Sequence, residues 1–86
     1  MATRFAWDDR KNAANRRKYG VGFETARLAF EDPGAIALRD RIVEGEQRWQ
    51  MIGWAQSILL VVAHTVLEEE GKEVIRIISA AKGNPY

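Results

Sequence analysis

Hydrophobic and polar positions along this chain change their period once. After a short strand-like opening, "TRFAW", with Phe5 and Trp7 on the face opposite Ala6, the pattern follows the helical period to about Pro33. Asp8 suits the N-cap of a first helix, "DRKNAANRRKYG", and Gly20 suits its end. A second helix follows in "FETARLAFEDP", where Phe23, Ala26 and Phe30 make an apolar stripe and Pro33 forbids continuation. From there the alternation is that of strands, which predicts segments at 35–39, 46–52, 57–65 and 73–80 joined by short polar or glycine-containing connections. The order implies an α+β fold with two N-terminal helices packed on an antiparallel β-sheet.

The first helix carries few large apolar residues. Lys11, Asn15 and Lys18 fall on one stripe with Ala14 between them, bordered by Arg10 and Arg17, so the helix is either a thin cover over the sheet or a surface for another molecule. The segment 57–65 is apolar on both faces, which predicts a central strand covered on both sides. On it, His64 shares a face with Ile58, Leu60 and Val62, while Thr65 shares the other with Leu59, Val61 and Ala63. Alternation also puts Arg48 with Glu46, Gln50 and Ile52, opposite Trp49, and puts Arg76 with Val74, Ile78 and Ala80. One pairing register would gather Arg48, His64 and Arg76 on a single patch; the alternation alone does not fix that register.

Composition narrows the classes. The 86 residues suit a single domain, 1–86, with a core so small that a partner would add useful stability. There is no cysteine, hence no disulfide and no thiolate metal site. Thirteen Lys and Arg against twelve Asp and Glu give a net charge of +1, too little to hold a long polyanion by bulk charge, so duplex DNA binding is not expected. The longest apolar run, Ile58 to Ala63, is far short of a membrane span, which needs roughly 20 residues, and no signal-peptide pattern opens the chain; the expectation is a cytoplasmic protein with no membrane association. Glu68, Glu69 and Glu70 mark an exposed hairpin tip. No HExxH, P-loop, GxGxxG or GxSxG occurs, and the carboxylates sit in turns and helix ends, so neither a metal nor a cofactor is expected.

Each candidate side chain has two readings. His64 is either a hydrogen-bonded structural residue or an acid–base group, being the chain's one imidazole. Arg76 in mid-strand either pairs with a carboxylate such as Glu46 or faces a polar groove. Trp49 and Trp54 either pack the core and hairpins or offer platforms for bases.

The blocks "FAWDDRKNAANRRKYGVGFETARLAFEDP", "EGEQRWQMIG", "LLVVAHT" and "IRIISAAK", in this order and spacing, resemble the BrnT family of toxins from bacterial type II toxin–antitoxin systems, over nearly the whole chain. The resemblance implies a RelE-like fold and an RNA-cleaving toxin that inhibits translation. It further implies neutralisation by a BrnA-like antitoxin with a ribbon-helix-helix domain, two toxins joining one antitoxin dimer. Three positions depart from the family pattern: Tyr19 where histidine is usual, Ala81 where arginine is usual, and an end at Tyr86 where a further C-terminal helix is usual.

Metal-independent ribonucleases activate a ribose 2′-hydroxyl against the adjacent phosphate and need cations for the charge that develops there. On this resemblance the catalytic set is Arg48, Arg76, Lys82 and His64, with Trp49, Thr65, Ser79, Lys11 and Lys18 as substrate-binding residues. The loss of arginine at position 81 also suggests an alternative, a weakened toxin homologue that serves mainly as an antitoxin-binding co-repressor module.

Overall fold

The computed structural model describes residues 3–83. Its elements are β1 (Thr3–Ala6), α1 (Asp9–Tyr19), α2 (Phe23–Ala29), β2 (Ile36–Val43), β3 (Glu46–Ala55), β4 (Ile58–Glu69) and β5 (Lys72–Lys82). The strands form one sheet in the order β1-β5-β4-β3-β2. The α+β class holds, with one correction: β1 runs parallel to β5, so the sheet is mixed rather than wholly antiparallel. A parallel neighbour needs a crossover connection, and the two helices supply it.

Local chemistry sets the helix ends. The Asp8 carboxylate accepts hydrogen bonds from the N–H groups of Arg10 (2.8 Å) and Lys11 (3.2 Å), occupying two donors that the first turn of α1 leaves unpaired. Those bonds favour the ionised form and lower the Asp8 pKa. Gly20 closes α1 in the left-handed region at φ 72°.

Both helices lie on one face of the sheet. Val21, Phe23, Ala26 and Ala29 pack there against Met51, Leu60, Val62, Ile77 and Ala80. The small residues of α2 allow close approach: a Cβ on Gly53 of β3 would stand 2.7 Å from the Ala29 carbonyl oxygen.

Asparagines replace the apolar stripe that α1 lacks. Asn15 shares a stripe with Lys11 and Lys18 but, unlike them, is buried. Its amide donates to the carbonyls of Ala80 (2.7 Å) and Val21 (2.9 Å) and accepts from Ala80 N–H (3.2 Å). The need arises because β1 pairs with β5 only from Glu73 to Arg76. Beyond that point no strand among the described residues lies beside the outer edge of β5, and the Asn15 side chain takes the place of one at Ala80. Asn12, also buried, accepts from Phe23 N–H (2.8 Å) and donates to Glu24, tying α1 to α2.

Candidate active site

Strand register decides which side chains meet. Pairing of Trp49 with His64 sets Arg48 beside Thr65, and Thr65 pairs with Arg76, so Arg48, Thr65 and Arg76 form one row across three strands on the face opposite the helices. Adjacent strands lie roughly 4.8 Å apart, which puts the two arginines on either side of the threonine within reach of one phosphate. Two polar atoms of this row, Arg48 Nε and Thr65 Oγ1, are buried without a hydrogen-bond partner among the described residues. Thr65 as a whole is 1% exposed. Orphaned polar atoms in a folded interior are uncommon, and both of these belong to one row.

Arg76 is exposed, and the described ion pairs, Arg4–Glu69 and Arg16–Glu24, include neither Arg76 nor Arg48. Of the two readings of Arg76, pairing with Glu46 is not seen among the described ion pairs. At the β2 end of the row a register shift between Arg39 and Ile42 sets Asp40 and Arg41 against the neighbourhood of Arg48. The Asp40 carboxylate accepts from Gln50 Nε2 (2.9 Å), and that bond, with the backbone of Arg41 and the charges of Arg41 and Arg48, lowers its pKa.

The expectation that His64 joins this patch is corrected by the same register. His64 lies on the helix-bearing face, is 3% exposed, and meets the Phe30 ring edge-on with centroids 4.9 Å apart. Its Nδ1–H donates to the Val62 carbonyl at 3.2 Å, and burial lowers its pKa against the opposite pull of that carbonyl and of Glu73. Trp49 is on the helix-bearing face too, half-buried, with the Arg39 guanidinium 5.8 Å from its ring centroid.

The remaining candidates are dispersed. Ser79 pairs with Ala63 on the open face, one row from Arg76, because a bulge in β5 leaves Ile78 without a partner between the Ala63–Ser79 and His64–Ile77 pairs. The bulge also corrects the face of Ile78, which turns to α1 and lines a shallow groove of about 270 Å³ with Lys11, Ala14, Asn15, Lys18 and Tyr19. Lys11 and Lys18 are exposed there, across the sheet from the arginine row. Lys82 pairs with Leu60, five residues along β4 from Thr65, or roughly 17 Å at strand spacing, too far to share a phosphate with Arg76.

Other features are quickly weighed. A depression of about 510 Å³ is lined by Arg4, Glu69, Glu70, Lys72 and Val74 at the hairpin end, where the Arg4–Glu69 pair already cancels charge. No group of three or more acidic or histidine side chains among the described residues is placed to hold a metal ion. Nor is any described helix long and apolar enough to cross a membrane. Sequence reasoning missed the Asn12 and Asn15 anchors; the available signal was two asparagines three apart in a helix interior, where their propensity is poor unless the side chains are bonded.

Comparison with curated proteins gives no match. A family model described as "Ribonuclease toxin, BrnT, of type II toxin-antitoxin system" matches residues 7–86, nearly the full length, and takes in both helices, the four long strands and the arginine row. The chain therefore belongs to the BrnT family of ribonuclease toxins of type II toxin–antitoxin systems.

Proposed function

We propose that the protein is a metal-independent endoribonuclease toxin that cleaves RNA on the open face of its sheet, inhibits translation in the cytoplasm, and is neutralised by a BrnA-like ribbon-helix-helix antitoxin, two toxins to one antitoxin dimer. The observation that carries this reading is the row Arg48–Thr65–Arg76 with its orphaned Nε and Oγ1. Arginine's planar fork suits a phosphate, and two forks flanking a hydroxyl match the charge that grows on a phosphorane-like transition state. In the step, the ribose 2′-oxygen bonds to phosphorus as the bond to the 5′-oxygen breaks. The products are a 2′,3′-cyclic phosphate and a 5′-hydroxyl end.

The chain's one imidazole is on the other face, so the row stabilises charge while water takes the 2′-hydroxyl proton and returns one to the 5′-oxygen. Ser79 holds a neighbouring part of the strand, while Lys82, whose backbone pairs with Leu60, lies off this path. Trp49, Lys11 and Lys18 lie outside this path, and His64 supports the fold beneath it.

The test is cleavage of a defined RNA with analysis of its ends. Arg76→Ala should lower the rate by about 100-fold or more while unfolding stability changes by less than about 1 kcal/mol, since the side chain is exposed. Activity should persist in EDTA and leave cyclic phosphate ends. Loss in EDTA with recovery in magnesium would overturn metal independence.

One observation favours a second reading, the weakened co-repressor module. Ala81 pairs with Val61 in an apolar part of the open face, so this chain lacks there the cation usual in the family. Restoration or a marked gain of cleavage in Ala81→Arg would support attenuation.

A further inference from the structure

The open face has two halves. Beyond the arginine row and the Gln50–Ala63–Ser79 row, the register brings Ile36, Ile52, Val61 and Ala81 into line across four strands, with Trp54 and Leu59 beyond. No charged side chain stands in those last two rows. Ile36 is 57% exposed, Leu38 51% and Trp54 49%. Contiguous apolar surface of this kind, rimmed by polar residues, marks a protein interface in a soluble domain.

We propose that this apolar half is the seat of the antitoxin, which lays an amphipathic helix across it with carboxylates along both flanks. The assignment rests on the toxin–antitoxin reading of the chain. Three features select that occupant. The surface is a flat, mostly aliphatic sheet face, and the element that covers such a face is a helix, as α1 and α2 do on the other side. Its width, three strand spacings or roughly 14 Å, matches about three turns of helix. Its borders are cationic: Arg48 and Arg76 on one flank, neither in a described ion pair, and Lys82 on the other, lining a shallow depression with Trp54, Ile58 and Leu59. RNA would gain little from the aliphatic floor, whereas a helix with an apolar stripe and flanking carboxylates complements floor and borders together. The arginine row lies roughly 14 Å along the strands from the Ile52–Val61 row, so a helix seated there presents one flank to it, and carboxylates on that flank compete with a phosphate for Arg48 and Arg76.

The experiment uses the full chain co-purified with the product of its neighbouring gene. Leu38→Asp with Trp54→Asp should weaken that complex by at least about 100-fold, the range of interface hot spots, while Lys11→Ala with Lys18→Ala leaves it intact. The free Leu38→Asp, Trp54→Asp variant should still cleave RNA at the wild-type rate. A second measurement leaves the apolar half intact: in Trp7→Phe, Trp49→Phe the one remaining tryptophan, Trp54, should shift its emission to the blue on complex formation. A complex that ignores the Leu38 and Trp54 substitutions, with Trp54 emission unmoved, overturns the seat alone. Failure of the neighbouring product to bind the wild-type chain overturns the partnership and the seat with it. A free toxin that dimerises through this face until Trp54→Asp breaks it assigns the face to a second copy and overturns the proposal.

Discussion

The two faces of the sheet are built from the same strands and do opposite work. On β4, Leu60 and Val62 are fully buried beneath the helices, while Leu59 and Val61, equally apolar and one residue away, stay half-exposed on the open side. The helix-bearing face spends its apolar surface on folding. The open face leaves part of its own exposed, together with the Arg76 side chain. Alternation therefore tells which residues share a face, whereas the fate of that face depends on how many layers the chain can build, and the described residues build two.

That contrast is broken most directly at β4. Leu60→Ala should cost about 3 kcal/mol, transfer plus cavity, whereas Val61→Ala should cost less than about 1 kcal/mol because its neighbourhood is already open to water. Denaturant melts of the free chain check both. Equal costs would mean that the open face is covered in solution.

Much of the first face was legible in advance. Asp8 as N-cap, Gly20 as helix end, the Phe23–Ala26 stripe and the strands all rest on local chemistry, and local chemistry can be read from neighbours in sequence. Strand ends were less so: the last two strands run to Glu69 and Lys82, past the apolar stretches that signal them. The prediction that β4 is covered on both sides was half met. It is central, but its open side is covered only at Thr65, while Leu59, Val61 and Ala63 stay half-buried.

The site was less legible because it depends on pairing. The register, which alternation leaves open, puts Arg48 and Arg76 in one row, sends His64 to the opposite face through its pairing with Trp49, and with the β5 bulge moves Ile78 off the face of Arg76. The usual C-terminal helix of the family concerns positions beyond the described residues.

The next comparison is sharpened at the edge of β5. Asn15→Ala removes both the donor and the acceptor that Ala80 uses, and should cost about 2 kcal/mol, as a buried pair of hydrogen bonds lost on one side does. Lys18→Ala, one turn away and exposed, should cost less than about 0.5 kcal/mol. If the two cost the same, α1 is held by something other than its asparagines.

The smallest effect separates the faces by pH. Burial holds the His64 pKa below its ordinary 6.5, so the folded chain binds its proton less readily than the unfolded chain. Stability from this group is therefore intact above 6.5 and drains away as pH falls from 6.5 toward the lower folded value, because the unfolded state takes up the proton first. The carboxylates whose pKa is lowered, Asp8, Glu24, Asp32 and Asp40, act only in a more acidic window, below ordinary values of 3.8 to 4.5, so the histidine contribution can be seen by itself. In His64→Gln the decline just below 6.5 should flatten, and the cleavage rate should show no inflection there in either protein, since the arginine row lies on the other face. An inflection in cleavage that vanishes with His64→Gln would join the two faces in one active site and undo the distinction.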